Sequence, residues 1–250
     1  MIILKSPDEI EKMARAGRIL ASTRHQVLEA VRPGVTTAEL DAVAEEHTRA
    51  SGAVASFKGY RGFPASICAS VNEELVHGIP GERVLKEGDL LSLDFGAIWE
   101  GYHADSAITV FVGGAAPSGE AEKLVRVTEE ALDAGLSEVR VGGRLSDIGH
   151  AVQQVVEGAG FGVVREYVGH GIGQSMHEDP PIPNYGEPGR GPELRPGMAL
   201  AIEPMVTLGD WATRVLDDDW TVVTEDGSLC AHFEHTVALT GDGARVLTGD

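Results

Sequence analysis

The chain has 250 residues, of which 42% are hydrophobic and 24% are charged, values typical of a globular protein with a full core. Its formal net charge of −19 opposes nucleic acid or an anionic membrane as a partner, because both favour a basic surface. The opening sequence MIILKSPDEIEKM is unlike a signal peptide, and no apolar run approaches the roughly 20 residues of a membrane span. The two cysteines, Cys68 and Cys230, form neither a disulfide framework nor a CxxC metal motif. These features predict a cytoplasmic protein.

Two capped helices are predicted at the start of the chain. The sequence SPDE at 6–9 has the capping-box pattern, and apolar residues then recur at helical spacing until RPG at 32–34. Thr36 and Glu39 repeat the capping-box spacing, which predicts a second helix that ends near Gly52.

Three strands are predicted next, at 66–71, 89–99 and 104–112, because these segments are rich in β-branched and aromatic residues. Glu100 and Gly101 lie between the second and third strands and suit a tight hairpin turn. The sequence therefore predicts an antiparallel pair at this point.

A weak internal repeat follows the same order of elements. Residues 31–52 align with 139–160 at a constant shift, and 86–94 align with 195–203 at nearly the same shift. Either alignment alone is compatible with chance, but two with almost equal shifts favour a duplication. The repeat predicts one domain made of two related helix–helix–strand halves.

Four carboxylates interrupt apolar segments of the chain, where acidic residues are disfavoured. The predicted hairpin puts Asp94 and Asp105 on one sheet face, directly or diagonally opposite, about 5–8 Å apart. Two carboxylates so close repel each other unless one is protonated or a cation lies between them; alternatively, both face solvent. Glu203 in MALAIEPMV and Glu234 in LCAHFEHTVAL would be costly in their apolar surroundings if unpaired. A shared metal explains all four.

Two histidines, His170 and His177, lie in the glycine-rich segment YVGHGIGQSMHEDP. The glycines argue against a helix, and the HExxH zinc motif is absent. Taken alone, this segment is compatible with a turn that holds two ordinary polar histidines or with a site. Four carboxylates and one neutral imidazole suit two divalent ions, Mn²⁺, Fe²⁺, Co²⁺ or Zn²⁺, which can activate water and polarise a carbonyl. The chemistry indicated is metal-assisted hydrolysis.

Other kinds of site are less well supported. The GHGIG run lacks the residues of a phosphate-binding loop or a dinucleotide fingerprint, and no GxSxG nucleophile motif occurs. Cys68 is interpreted as a small apolar wall residue in preference to a reactive thiol.

In chain order, five residues resemble the metal ligands of the methionine aminopeptidase family: Asp94, Asp105, His170 in GHGIG, Glu203 in IEP and Glu234 in FEHT. The segments VNEELVHGIP, MHEDP and DDDWTVVTEDGSLCAHFEHT are similar to other signatures of that family, and the resemblance covers nearly the whole chain. The absence of an N-terminal extension and of a long insertion before Glu234 resembles the short type I form of bacteria. The resemblance implies an α+β pita-bread fold with two pseudo-symmetric α/β halves around a central antiparallel sheet. A single metallopeptidase domain would cover residues 1–250, with halves at about 6–120 and 121–250.

The resemblance also implies roles for individual residues. Asp94 would hold one ion, Asp105 and Glu234 would bridge two ions, and His170 would be a ligand. Glu203 would be a ligand that also takes the proton from the attacking water. Catalytic and substrate-contacting roles fall to two histidines on opposite sides of the cleft, His77 and His177. The walls of the methionine pocket would be Tyr60, Phe63, Cys68, Met176 and Trp220, although each is also compatible with plain core packing.

Three residues depart from the family pattern. Met176 stands where an aromatic residue is frequent, Arg61 where histidine is common, and Phe233 where tyrosine is usual. These departures affect pocket shape and inhibitor preference but leave the metal chemistry intact.

The implied function is removal of the initiator methionine from nascent chains whose second residue is small. It requires two divalent metal ions per chain, Co, Mn, Fe or Zn, and is compatible with a monomer that associates with ribosomes. One alternative is a proline-specific peptidase of the same fold, whose chains usually carry a sizeable N-terminal domain. Another is a non-catalytic relative that binds peptides or nucleic acid, but such relatives lose metal ligands, and the net charge is unfavourable for nucleic acid.

Overall fold

We describe the protein from a computed structural model, which defines the structure of residues 1–249. The helices are α1 (Pro7–Ala30), α2 (Thr37–Ala50), α3 (Gly119–Ser137) and α4 (Leu145–Gly158), and a 3-10 turn spans Tyr60–Gly62. The strands of the N-terminal part are β1 (Val54–Ala55), β2 (Ile67–Val71), β3 (Glu74–Val76), β4 (Leu90–Trp99) and β5 (Tyr102–Phe111). The remaining strands are β6 (Gly162–Val163), β7 (Gly169–Gly171), β8 (Glu178–Ile182), β9 (Ala199–Ile202), β10 (Met205–Thr207), β11 (Thr213–Val215), β12 (Val222–Thr224), β13 (Cys230–His232), β14 (His235–Thr240) and β15 (Gly243–Val246).

The two predicted helices at the start of the chain are confirmed, together with their caps. At α1 the backbone N–H of Glu9 donates to the hydroxyl of Ser6 at 3.4 Å, and the Ser6 N–H donates to the Glu9 carboxylate at 2.7 Å. At α2 Thr36 and Glu39 make the same reciprocal pair, at 3.2 and 2.7 Å. Each pair satisfies N–H groups that have no partner within the helix.

The predicted hairpin is also confirmed. Trp99 pairs with Tyr102, so the loop between β4 and β5 has two residues, Glu100 and Gly101, with φ of 48° and 81°. Positive φ at both positions is the geometry of a type I′ turn, whose twist matches that of the strands it joins. The hairpin fixes the register that positions the two aspartates.

The internal repeat predicted from sequence has structural counterparts. Helix α4 begins 108 residues after the start of α2 and ends 108 residues after its end. Strand β9 begins 109 residues after the start of β4. Isolated bridges at Thr36–Val84 and Arg144–Glu193 follow the same two shifts. Each half therefore repeats the order of two helices followed by strands. The boundary between the halves near residue 120 stays a prediction.

The strands form four antiparallel sheets. Their orders are β1-β4-β2 with β5 beside β4, then β13-β10-β6, β11-β12-β3 and β15-β14-β9-β7-β8. The four-stranded and five-stranded sheets are joined where Ala107 and Glu234 exchange backbone hydrogen bonds of 3.3 and 3.0 Å. Beside this junction, the Asp105 N–H donates to the Thr236 hydroxyl at 2.9 Å. The two halves thus meet along β5 and the start of β14.

The helices cover the sheets in pairs. One core cluster packs α1 and α2 against β2, β4 and β5, and another packs α3 and α4 against β9 and β14. Gly17 in α1 allows a close approach, because a methyl group there would overlap the carbonyl oxygen of Leu247. None of the helices within residues 1–249 is long and apolar enough to cross a membrane.

Candidate metal centre and pocket

A cavity of about 670 Å³, including the space at its open mouth, lies where the two halves meet. It contains all twelve residues that the sequence assigned to a site, and two more. Its lining is Phe57, Tyr60, Arg61, Phe63, Cys68, His77, Asp94, Asp105, His170, Met176, His177, Glu203, Trp220 and Glu234. A concave site with a mixed apolar and polar lining is typical of small-ligand binding.

The hairpin supplies two of the acidic side chains. Asp105 lies opposite Gly96, and Asp94 lies opposite Ala107, so the aspartates are diagonal neighbours on one sheet face. Asp105 is only 5% exposed, so the alternative of a solvent-facing residue is wrong for this position. The diagonal arrangement predicted from the turn is confirmed.

The second half supplies the other polar groups. His170 lies in β7, Glu203 directly follows β9, and Glu234 directly precedes β14. The Nε2 atom of His170 lies 3.6 Å from the Glu203 carboxylate and 4.0 Å from that of Asp105. Its Nδ1 atom donates to the carbonyl of Gly171 at 2.9 Å, which leaves Nε2 free to face the carboxylates. This orientation is the one required of a metal-binding imidazole.

Burial raises the pKa of all four carboxyl groups. The pKa of Asp94 rises to about 7 because the low-dielectric surroundings disfavour its charged form. The pKa values of Asp105, Glu203 and Glu234 rise well above the usual range, first because of burial and then because of repulsion from neighbouring carboxylates. Without a cation, this cluster therefore resists ionisation.

The donor set fits a divalent cation. Potential ligand atoms of Asp105, His170 and Glu234 lie within 4.8 Å of one another, and all three residues are buried. Oxygen atoms of Asp94, Asp105 and Glu234 are buried without a hydrogen-bond partner in the described part of the chain. Buried oxygens without partners are costly, and a bound cation would satisfy them. Carboxylate and imidazole ligands together suit Mn, Fe, Co or Zn.

The histidines of the pocket are neutral at physiological pH. Burial lowers the pKa of both His77 and His170 to about 4, with a further contribution from His177 in each case. The pKa of His177 itself is lowered, first by burial and then by the positive charge of Arg61. A neutral imidazole can bind a metal through one nitrogen, or donate a hydrogen bond to a substrate.

His77 and His177 are held by aromatic neighbours. His77 contacts Tyr167 and Trp220, with ring centroids 5.8 and 6.2 Å apart. His177 stacks on Tyr60 at 5.5 Å, and its Nδ1 atom lies 2.9 Å from the Tyr60 hydroxyl. Different aromatic neighbours therefore hold the two histidine rings.

The far end of the cavity is apolar. The hydrophobic cluster there is formed by Phe57, Phe63, Ala65, Cys68 and Met176, with Tyr60, Ile79 and Trp220 packed against it. Phe63 and Trp220 meet edge to face at 5.1 Å. Burial raises the pKa of the Cys68 thiol well above its usual value, in agreement with the interpretation of this residue as a wall residue. The pocket combines an apolar end with an acidic end.

Three side chains at the site were not assigned from sequence. Phe57 and Arg61 line the cavity, and His232 is buried with its Nε2 atom 3.9 Å from the Glu203 carboxylate. Phe57 lies in no recognisable motif, but the sequence around Arg61 and His232 contains a sign of the site. Arg61 departs from the family pattern, and His232, the last residue of β13, lies two residues before Glu234.

Comparison with known proteins places the chain among metallopeptidases. The model of metallopeptidase family M24 matches residues 11–241. Methionine aminopeptidase 1 of Bacillus subtilis is 57% identical over 248 residues, which are 99% of each chain. A solved methionine aminopeptidase from Thermotoga maritima superposes with a TM-score of 0.97 at 47% identity, covering 100% of both chains. A prolidase from Pyrococcus furiosus superposes at 0.79 with 22% identity and covers 99% of this chain but 66% of its own, which shows the fold alone.

Proposed function

The chain belongs to metallopeptidase family M24, and we propose that it removes the N-terminal methionine from peptides and nascent proteins. It is a metal-dependent aminopeptidase with the pita-bread fold, an α+β arrangement of two pseudo-symmetric halves. The observation that carries the proposal is the cavity itself. Its acidic end suits divalent ions, and its apolar end suits the side chain of methionine.

Five residues are proposed to hold two divalent ions: Asp94, Asp105, His170, Glu203 and Glu234. The support is their convergence on one cavity and the buried oxygens that a cation would satisfy. Bound divalent ions would polarise the scissile carbonyl and lower the pKa of the attacking water.

Glu203 is proposed to accept the proton of the attacking water. In the metal-free protein, burial and the nearby charge of Asp94 raise the pKa of Glu203 well above the usual range. Bound cations would favour the ionised form, and the ionised carboxylate could then accept the proton. Its backbone carbonyl accepts a hydrogen bond of 2.9 Å from the Asn184 amide, which fixes the segment after β9. The side chain can therefore exchange a proton without a change in the backbone.

His77 and His177 are proposed to contact the reacting peptide from opposite walls. Both have a lowered pKa caused first by burial, so each imidazole is neutral and can donate one hydrogen bond. A donor aimed at the scissile carbonyl stabilises the negative charge that develops on its oxygen, and a donor near the amide nitrogen assists its departure. Their fixed aromatic contacts preorganise both donors.

The methionine side chain is proposed to occupy the pocket formed by Tyr60, Phe63, Cys68, Met176 and Trp220. The thioether of methionine is flexible and makes favourable contacts with aromatic rings, of which this pocket has three. The preference for a small second residue follows the resemblance to the family.

The proposal extends to the setting of the enzyme. Removal of methionine from nascent chains requires a cytoplasmic location, and association with the ribosome would bring the enzyme to its substrate. We further propose a monomer with a single domain over residues 1–250. Sedimentation equilibrium would give a mass near 26.4 kDa for this monomer.

The test is hydrolysis of Met-Ala-Ser beside Ala-Pro and Ala-Pro-Ala, with Mn²⁺ or Co²⁺ and then with EDTA. Metal-dependent release of methionine alone supports the proposal. Cleavage only before proline would transfer the protein to the proline-specific branch of the fold. Absence of cleavage in any peptide, with metal bound, would show that the departures at Arg61 and Met176 alter the pocket. Absence of bound metal would favour a non-catalytic binding protein.

A further inference from the structure

One basic side chain stands at the edge of an otherwise acidic and apolar cavity. Among the described residues that line it, Arg61 is the only lysine or arginine. The side chain of Arg61 is exposed, in contrast to the buried Phe63 two residues later. It therefore lies at the mouth of the cavity, where a bound peptide must pass.

The backbone around Arg61 is tightly held. Arg61 has a φ of 49°, in the left-handed region that side chains other than glycine rarely adopt. Gly59 donates its N–H to the carbonyl of Phe63 at 2.8 Å, and Tyr60 donates to that of Phe57 at 2.9 Å. Unfavourable backbone conformations that the surrounding structure enforces are concentrated at functional sites. The turn thus fixes the point from which the guanidinium group projects.

The guanidinium group has an aromatic contact but no carboxylate partner. Its central carbon lies 5.3 Å from the centroid of the Tyr60 ring, which in turn stacks on His177. No ion pair links Arg61 to another residue within 1–249, whereas Lys58 on the same loop binds Glu45 at 2.6 Å. In a chain of net charge −19, a cation without a carboxylate partner at the mouth of the site is available to a ligand.

The path of a peptide brings its third residue near this cation. With methionine at the apolar end and the scissile bond over the carboxylates, the chain must leave through the mouth. An extended chain advances about 3.3–3.6 Å per residue. The Cα atom of the third residue therefore lies about 7 Å beyond that of the methionine. With the small second residue inside the cavity, the side chain of the third residue is placed at the mouth.

We propose that Arg61 is a specificity-determining residue that favours peptides with an acidic third residue. The inference rests on the proposed function and adds a substrate class to it. The contact forms in the bound peptide before and during the reaction, so it acts on KM more than on kcat. Exposed ion pairs of this kind contribute modestly, which corresponds to a change of about 2–5-fold.

The test compares the peptides Met-Ala-Glu-Gly, Met-Ala-Gln-Gly and Met-Ala-Lys-Gly, all amidated at the C-terminus, with the metal-loaded full chain. In Arg61→Gln we expect the kcat/KM ratio of the Glu peptide to the Gln peptide to fall about 2–5-fold, through KM. Arg61→Lys should keep part of the preference. Lys58→Gln, on the same loop, should keep all of it. Salt at 300 mM should weaken the preference of the unaltered protein because it screens exposed charges.

Two results would overturn the inference. One is a Glu-to-Gln ratio that is the same in Arg61→Gln and in the unaltered protein. The other is a Met-Ala-Lys-Gly amide that the unaltered protein cleaves as well as the Glu peptide. If methionine is released equally from all peptides, the inference fails while the proposed function stands. If none releases methionine, the proposed function itself fails.

Discussion

The acidic cluster predicts an unusual dependence of stability on pH in the metal-free protein. The pKa values of Asp105, Glu203 and Glu234 are raised well above the usual range in the folded state, by burial first and by mutual repulsion second. The folded state therefore binds more protons than the unfolded chain. This contribution to stability is complete at a pH below the pKa that these carboxyl groups have in the unfolded chain. It is lost as the pH rises through their pKa in the folded protein.

The magnitude follows from proton linkage. Each carboxyl group that stays protonated in the folded state and is ionised in the unfolded state lowers the free energy of unfolding by about 1.4 kcal/mol per pH unit. Between pH 7 and pH 8.5, one such group lowers the free energy of unfolding by about 2 kcal/mol. The window lies above the ordinary pKa of histidine, so the buried neutral imidazoles add little slope within it.

The assay is urea unfolding of the metal-free protein at pH 7 and 8.5, with and without saturating Mn²⁺. We expect stability to fall with pH in the metal-free protein and to change little with metal, because bound cations keep the carboxylates ionised. Asp105→Asn removes one of the coupled groups and should reduce the slope. A metal-free protein whose stability is constant or rises over this window would refute the assignment of a buried acidic cluster.

Three further predictions concern packing and charge elsewhere in the fold. Lys5→Met should destabilise the protein by about 3–5 kcal/mol in thermal or urea unfolding, because it leaves Glu178 buried without its partner at 2.6 Å; a loss below about 1 kcal/mol would contradict this. Gly149→Ala should lower the free energy of unfolding by about 1–3 kcal/mol, because its methyl group would overlap the carbonyl of Pro183. In the same helix, the methyl group of Gly158→Ala contacts nothing, so this variant should be neutral or stabilising. Equal effects of the two substitutions would refute the packing argument. Both cysteine thiols are buried and have a raised pKa. Iodoacetamide at pH 8 should therefore label neither thiol in the folded protein and both in urea, as detected by mass spectrometry. Rapid labelling of the native protein would show that the thiols are accessible.

Local sequence patterns predicted the elements that local interactions stabilise. The capping boxes fix the starts of α1 and α2, and Glu100–Gly101 fixes the turn of the β4–β5 hairpin. Because a strand has a period of two, the turn position alone determines that Asp94 and Asp105 share a face. This part of the acidic cluster follows from the sequence without any knowledge of relatives.

Contacts between segments that are distant in the sequence could not be predicted from local sequence patterns. Lys5 pairs with Glu178 across 173 residues, and Ser56 lies 3.0 Å from Nδ1 of the buried His103. Short strands such as β8, which contains two prolines, depend on pairing with β7 and have little strand propensity of their own. Residues brought together by the packing of the two halves, such as Phe57 in the cavity wall, require the tertiary structure.

The most direct test of the metal site is methionine release by the unaltered protein and by Asp105→Ala, each metal-free and then supplied with Mn²⁺. The metal content of both is measured in parallel. We predict that the unaltered protein releases methionine from Met-Ala-Ser only with metal, while Asp105→Ala binds less metal and has almost no activity. Full activity in Asp105→Ala, or methionine release that survives chelation, would contradict the proposal that this cluster of carboxylates and histidine carries out the reaction.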